Sequence, residues 1–208
     1  MLLGIISVII GYLLGSFPAA YIIAKRRKGI DIRKVGVRNM GGANVIREVG
    51  KWEGTITLII DMGKGALSVY IAELLGVSLP WVLGAGFAAM LGHNYPVYIG
   101  FKGGKGIATV MGIFFVLSPV AMAITTAIIG VFLVLTRSFF IAVELSLPFF
   151  LLVVWYMEGI EGIFYLAVAI VIFQLYRNRS RLKEIKPGTI RVLNLFKKIF
   201  KTKKNYTD

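Results

Sequence analysis

The chain has 208 residues, of which 57% are hydrophobic and 16% are charged, and its mean hydropathy is +0.80. This composition excludes an ordinary soluble domain and indicates a membrane protein with several spans. Because the sequence has no cysteine and one histidine, disulfides and a cysteine nucleophile are excluded, and a histidine-built metal site is disfavoured.

Apolar runs of the length needed to cross a bilayer follow one another along the chain. They predict an all-α, polytopic protein with about seven transmembrane helices, near residues 3–23, 54–75, 79–98, 107–118, 120–136, 139–157 and 162–176. The first run lacks the charged start and cleavage site of a signal peptide, so we expect it to stay in the membrane. Run 107–118 is short and precedes Pro119, so a re-entrant element with five full spans is the alternative.

The basic residues mark one side of this predicted membrane protein. All Lys and Arg residues except Lys64 lie in segments 25–51, 102–105, 137 and 177–204, which the seven spans place on the same side. The positive-inside rule puts that side in the cytoplasm, with the N-terminus outside and the C-terminus inside. The net charge of +14 therefore reflects membrane topology and not nucleic-acid binding.

Two parts of the chain are expected. Residues 1–189 form a single transmembrane domain, and residues 190–208 form a basic tail. In the tail, Val192, Phe196, Ile199 and Phe200 share one helical face, as in an interfacial helix attracted to anionic lipid. A disordered basic tail is the alternative.

A polar segment at residues 92–109 interrupts the apolar runs. It holds His93 and a glycine-lysine loop that consists of Lys102, Gly103, Gly104, Lys105 and Gly106. Glycines let successive N–H groups turn toward one anion, and the helix that begins near Ile107 adds its positive end. The Walker pattern is excluded because Ile99 and Gly106 stand where it needs Gly and Ser or Thr. We predict a phosphate site; an ordinary turn with snorkelling lysines is the alternative.

A second polar cluster lies in the first cytoplasmic loop, over residues 31–47. Asn39 and Asn44 stand among glycines, close to Arg38 and Arg47. This mixture suits irregular backbone and bidentate contacts to an anion, so we expect the loop to build part of the same site. A simple hydrated loop would explain the charges but not the two asparagines.

Ionisable groups also occur within the predicted spans. Asp61 and Lys64 can pair at i,i+3 on one helix face, about 10 Å below the cytoplasmic end, and hold the loops in place without contacting substrate. His93 is either a base or a buried structural donor. Glu144 is intramembrane as well, and the sequence gives it no evident partner.

In chain order, these motifs resemble a known family. They are Leu14-Gly15-Ser16-Phe17-Pro18, Gly29-Ile30-Asp31-Ile32-Arg33, residues 39–47, Asp61-Met62-Gly63-Lys64-Gly65, Gly92-His93-Asn94-Tyr95-Pro96-Val97 and residues 101–109. The chain is similar over nearly its whole length to the bacterial acyl-phosphate:glycerol-3-phosphate acyltransferases (PlsY). The resemblance implies an integral membrane enzyme that moves an acyl group from acyl phosphate to glycerol 3-phosphate, giving lysophosphatidic acid and phosphate for phospholipid biosynthesis.

Several positions depart from the family pattern. Val37, Arg38 and Ala43 replace a serine, a glycine and a threonine, while Asn178 and Arg181 replace a histidine and an asparagine. Loss of several buried donors would cost about 1–3 kcal/mol each, so these changes point to a different acceptor or a different rate unless Arg38, Asn178 and Arg181 compensate. A divergent paralogue with another acceptor alcohol is therefore an alternative.

The resemblance implies a mechanism with no metal, no cofactor and no covalent acyl-enzyme. Lys102, Lys105 and residues 103–106 would bind one phosphate, with Arg38 and Arg47 on the other. Asn39 or Asn44 would donate to the oxyanion, and His93 or a substrate phosphate oxygen would take the acceptor proton.

The same resemblance implies the setting of the enzyme. We expect it in the inner membrane of a prokaryote, in contact with lipids, with its site facing the cytoplasm and a partner enzyme that supplies acyl phosphate. A His-x4-Asp acyltransferase mechanism is excluded, because Tyr98 stands at the aspartate position. An inactive regulatory partner and an anionic-lipid transporter are the alternatives from other functional classes.

Overall fold

The structure, a computed structural model, describes the backbone of residues 1–183 and the side chains of residues 1–179. Within this range the elements are helical, which confirms the all-α prediction. They are α1 (Leu2–Gly15), α2 (Ala19–Lys28), α3 (Gly42–Glu48), α4 (Lys51–Leu74), α5 (Leu79–Asn94), a 3₁₀ turn (Val97–Ile99), α6 (Ile107–Leu117), α7 (Pro119–Thr136), α8 (Phe139–Glu158) and α9 (Gly162–Lys183). The predicted tail, residues 190–208, lies outside the described residues.

The described helices agree with the prediction of an integral membrane protein, though not with every predicted span. Four stretches are long and apolar enough to cross a bilayer: Leu2–Lys28, Lys51–Leu74, Pro119–Thr136 and Phe139–Glu158. Helix α6 is apolar but has only 11 residues. The count of seven spans and the placement of the termini therefore stay predictions.

Prolines set several helix boundaries that differ from the predicted spans. The first span is interrupted at Ser16–Pro18, because Pro18 lacks the N–H that would continue the helix. Helix α5 ends at Asn94 and not at residue 98, since Pro96 disfavours helical backbone at Tyr95. Both breaks lie beside the polar segments, where they redirect the chain.

Helices α4 and α6 approach so closely that glycine is required at two contacts. A Cβ atom at Gly65 would collide with the Thr109 carbonyl oxygen, and one at Gly112 would collide with the Met62 carbonyl oxygen. Next to this contact the main apolar core joins α4–α6 to α8 and α9, with Phe114 and Phe150 edge to face at 4.8 Å between ring centroids. The start of α6 is thereby fixed against the middle of α4.

The α7–α8 hairpin forms the other side of the bundle. At its turn, a small apolar cluster of Ile129, Ala142 and Val143 packs against Ile107 at the start of α6. Thr136 stabilises the turn by accepting from the Ser138 N–H at 3.3 Å and donating to the Phe132 carbonyl at 2.7 Å. A cleft remains between this turn and helices α3 and α4.

Candidate active site

A cavity of about 500 Å³ lies in this cleft and brings the two predicted polar segments together. Its polar lining consists of Asn39, Asn44, Arg47, Asp61, His93, Lys105, Arg137 and Ser138. Its apolar lining includes Leu58, Met62, Ile107, Ala108, Met111, Phe139, Phe140 and Ile141. The cavity therefore has a cationic, hydrogen-bonding part and an apolar part.

The first loop is folded around the Asn44 side chain, which is only 2% exposed. Its amide nitrogen lies 3.2 Å from the carbonyls of Ile32 and Val35 and 2.9 Å from that of Asn39. Its carbonyl oxygen accepts from the Val37 N–H at 3.1 Å. Because the Asn44 amide is used inside the loop, its predicted role as an oxyanion donor is not supported, and it holds Asn39 at the cavity instead.

Arg33 ties this loop to the glycine-lysine segment. Its guanidinium donates two bonds of 2.9 Å to the Asp31 carboxylate and a third, also 2.9 Å, to the Ile99 carbonyl. The hydrogen bond from Arg33 holds the pKa of Asp31 below its usual value, and Asp31 in turn raises the pKa of Arg33. The two segments thus meet through a pair that stays charged at neutral pH.

The glycine-lysine loop caps the end of α5 with its own backbone. The Gly103 N–H donates to the Asn94 carbonyl at 3.2 Å, and the Gly104 N–H donates to the His93 carbonyl at 3.1 Å. Both N–H groups were predicted to bind phosphate; helix-end carbonyls need donors, so these groups are used within the protein. Gly104 is required here because a Cβ atom would collide with the His93 imidazole.

Of four predicted phosphate ligands, two line the cavity and two do not. Lys105 and Gly106 line the cavity, whereas Lys102 is exposed and does not line it. Arg38 is exposed too and adopts a left-handed conformation, with a φ angle of 52°, that leaves it outside the lining. The predicted roles of Lys102 and Arg38 in phosphate binding therefore lack support.

The cations of the cavity come from different elements of the fold. Arg47 extends from the last turn of α3, while Lys105 and Arg137 lie on the side of α6 and the α7–α8 turn. Sequence reasoning used Arg137 only as a marker of topology and missed it as a lining residue. The signal that could have identified it is a single arginine between two apolar spans, directly before an N-cap serine.

Asp61 lies at the wall of the cavity between a lysine and the histidine. Its carboxylate oxygen Oδ1 is 2.8 Å from Lys64 Nζ and 3.5 Å from His93 Nδ1, and all three residues are at most 7% exposed. Lys64 also donates to the Phe17 carbonyl at 3.0 Å, so the pair links α4 to the break between α1 and α2. Asp61 was expected to lie away from substrate, but it lines the cavity, and Lys64 does not.

Helix α9 contacts the glycine-lysine loop and the end of α5. Arg177 lies over the Tyr95 ring, 5.0 Å from its centroid, and donates to the Gly104 carbonyl at 3.4 Å. The Asn178 amide donates to the Glu144 carboxylate. Arg181 belongs to α9, but its side chain lies outside the described part of the chain.

This arrangement suits an amphiphilic anion. Cations from different elements can bind two phosphate groups, and the Asn39 amide can donate to a further oxygen. His93 also lines the cavity, beside Asp61. The apolar lining can contact a hydrocarbon chain.

Comparison with known proteins places this site in a family. The sequence profile described as glycerol-3-phosphate acyltransferase matches residues 5–188. The chain belongs to the glycerol-3-phosphate acyltransferase family. A glycerol-3-phosphate acyltransferase of Endomicrobium trichonymphae is 40% identical over 95% of this chain and 100% of its own length. One of Geobacter sulfurreducens is 37% identical over 91% and 97%.

Solved structures agree with the assignment. A crystal structure of PlsY (YgiH), an integral membrane glycerol 3-phosphate acyltransferase, in its glycerol 3-phosphate form, matches with a TM-score of 0.84 and 32% identity over 90% of this chain and 94% of that one. The lysophosphatidic acid form matches with a TM-score of 0.80. The predictions of the PlsY family and of a membrane-embedded acyltransferase are therefore confirmed.

Proposed function

We propose that this enzyme acylates the 1-hydroxyl of glycerol 3-phosphate inside the cavity, with acyl phosphate as the donor and lysophosphatidic acid and phosphate as the products. The observation that carries the proposal is the meeting of Arg47, His93 and Lys105 in one cavity that also has an apolar wall. Both substrates carry a phosphate, and the donor adds a hydrocarbon chain, which matches this division of the lining.

The positions of the cations suggest which phosphate each one binds. Lys105 and Arg137 lie beside the apolar residues Phe139–Ile141, where the chain of the donor would lie, so they bind the donor phosphate. Arg47 comes from α3, a different element, and with Asn39 it binds the phosphate of the acceptor. The acceptor hydroxyl is thereby held next to the acyl carbon.

The reaction needs little covalent chemistry, because acyl phosphate already has a good leaving group. The acceptor oxygen attacks the acyl carbon, the bond from that carbon to the phosphate oxygen breaks, and phosphate leaves. Asn39 donates to the oxyanion of the tetrahedral intermediate. The hydroxyl proton goes to His93, which Asp61 orients, or to an oxygen of the departing phosphate. No metal or cofactor takes part in this scheme.

The lining of the cavity includes residues of the basic loops. The positive-inside rule assigns these loops to the cytoplasmic face of the inner membrane of a prokaryote. Glycerol 3-phosphate would then enter from the cytoplasm. The donor would arrive through the lipid from a partner enzyme that forms acyl phosphate.

An assay of purified protein tests this function. We expect palmitoyl phosphate to release phosphate when glycerol 3-phosphate is added, with lysophosphatidic acid detected by mass spectrometry. Val37 and Ala43 stand at positions that are polar in the family, so the identity of the acceptor most needs testing. The assay therefore includes other phosphorylated polyols. Release only with another polyol would contradict glycerol 3-phosphate as the acceptor, and no release with any of them would contradict the enzyme itself.

A further inference from the structure

Glu144 is an ionisable residue inside the spanning helix α8, and the mechanism above gives it no role. It lies one helical turn beyond Phe140, which lines the cavity, so the two side chains share a helix face. An ionisable group within a membrane span is costly and normally has a partner or a function.

Helix α9 fixes one oxygen of this carboxylate. Asn178 is 1% exposed, and its amide nitrogen donates to Glu144 Oε1. The other oxygen, Glu144 Oε2, is buried and accepts no hydrogen bond from any side chain that the structure describes. The carboxylate is thus oriented by Asn178 and keeps one oxygen available to a nearby cation.

The nearby cation is Lys105 of the glycine-lysine loop. Its ammonium nitrogen lies 4.2 Å from the centroid of the Phe140 ring, and its charge interacts with the Glu144 carboxylate. The ring and the carboxylate are successive groups on one face of α8. Together they define a position for an ammonium group that a flexible four-carbon side chain would not define alone.

We propose that Glu144 is a positioning residue for Lys105: Asn178 orients the Glu144 carboxylate, and the carboxylate holds the Lys105 ammonium group over the Phe140 ring at the wall of the cavity. The proposal rests on the proposed function, in which Lys105 binds the donor phosphate. It also gives Asn178, which departs from the family pattern, a specific task in this chain.

A double-mutant cycle tests the link. Binding of an acyl phosphonate, which cannot transfer its acyl chain, is measured by calorimetry for the wild type, Glu144→Gln, Lys105→Met and the double variant. We expect Glu144→Gln to weaken phosphonate binding about tenfold when Lys105 is present. With Lys105→Met already present, the same change should have almost no effect, because the group that it positions is gone.

The outcomes separate the two proposals. Equal weakening by Glu144→Gln with and without Lys105, or no weakening at all, overturns the positioning role. Unchanged binding in Lys105→Met instead overturns the assignment of the donor phosphate to Lys105. Glu158→Gln is the matched control, since Glu158 lies at the other end of α8 and bonds Ser118 at 2.5 Å; it should leave binding unchanged.

Two variants of Asn178 test the same link with Glu144 intact. Asn178→Leu removes the donor and should weaken phosphonate binding about as much as Glu144→Gln, roughly tenfold. Asn178→His keeps a ring N–H and should bind within about twofold of the wild type. Equal binding by the leucine and histidine variants would overturn the role of Asn178, even where Glu144→Gln yields no folded protein.

Discussion

At the scale of single residues, the sequence predicted which polar segments meet at the cavity but not which residue of each segment would line it. Lys102 and Lys105 are three positions apart in one loop, yet only Lys105 lines the cavity. Asn39 and Asn44 are five apart, yet Asn44 is used inside the loop. These differences depend on how each loop turns. The glycine-lysine loop is held by contacts with α5 and α9, and the first loop by the Asn44 side chain, and no local pattern shows these contacts.

The two lysines offer a matched test of the phosphate site. A charged hydrogen bond to phosphate is worth about 1.5–3 kcal/mol, so Lys105→Met should lower kcat/KM by about 10- to 150-fold. Lys102→Met, in the same loop, should stay within about twofold. Phosphate release at saturating glycerol 3-phosphate measures both. The reverse order would contradict the site as described.

The two asparagines should fail in different ways. Asn44→Ala leaves several buried backbone groups without their partner, so it should destabilise the protein by about 2–4 kcal/mol and lower Tm. Asn39→Ala should keep the wild-type Tm and lower kcat, because it removes a donor to the oxyanion. Thermal unfolding in detergent and turnover distinguish them. A stable, inactive Asn44→Ala protein would restore Asn44 as an oxyanion donor.

The two arginines of the cavity should separate the substrates. Arg47→Gln should raise KM for glycerol 3-phosphate about tenfold or more and leave KM for acyl phosphate nearly unchanged. Arg137→Gln should do the opposite, because Arg137 lies beside the apolar residues that would contact the donor chain. Initial rates at varied concentrations of each substrate give both constants. The same KM change in both variants would contradict the division into two phosphate sites.

At the scale of elements, apolar length predicted where helices lie, and prolines determined how they end. The sequence predicted a third span that ends at residue 98, but α5 ends at Asn94. The last carbonyls of α5 therefore accept from the Gly103 and Gly104 N–H groups. It also paired Asp61 with Lys64 correctly from their spacing. Their further contacts with His93 and Phe17 join α4 to α5 and to the break between α1 and α2. Long-range contacts of this kind have no local signature.

At this junction, two substitutions should affect stability and activity differently. Asp61→Asn leaves the buried Lys64 charge without a carboxylate and should destabilise the protein by about 3–5 kcal/mol. Adding Lys64→Met removes that charge, so most of the stability should return. Turnover should stay low, because His93 still lacks the carboxylate at 3.5 Å. Tm and kcat of the single and double variants are the measurements, and a fully active double variant would contradict a role for Asp61 at the cavity.

At the scale of the whole molecule, composition predicted a helical membrane protein, and the order of motifs predicted its family. The distribution of charge also predicted which side of the membrane each loop faces. The exposed basic residues Lys28 and Lys102 belong to one predicted side, and Glu73 and Glu161 belong to the other. This sidedness follows from the distribution of charge. It decides which compartment supplies the acceptor.

Because the chain contains no cysteine, single-cysteine variants give a direct test of this sidedness. Glu73→Cys and Glu161→Cys should react with a membrane-impermeant maleimide on intact bacterial spheroplasts. Lys28→Cys and Lys102→Cys should react only after the membrane is opened, since the positive-inside rule places the basic loops in the cytoplasm. All four side chains are exposed, so accessibility within the protein does not limit labelling. Labelling of Lys28→Cys on intact spheroplasts would place the basic loops outside the cell. That result would contradict a cavity supplied with glycerol 3-phosphate from the cytoplasm.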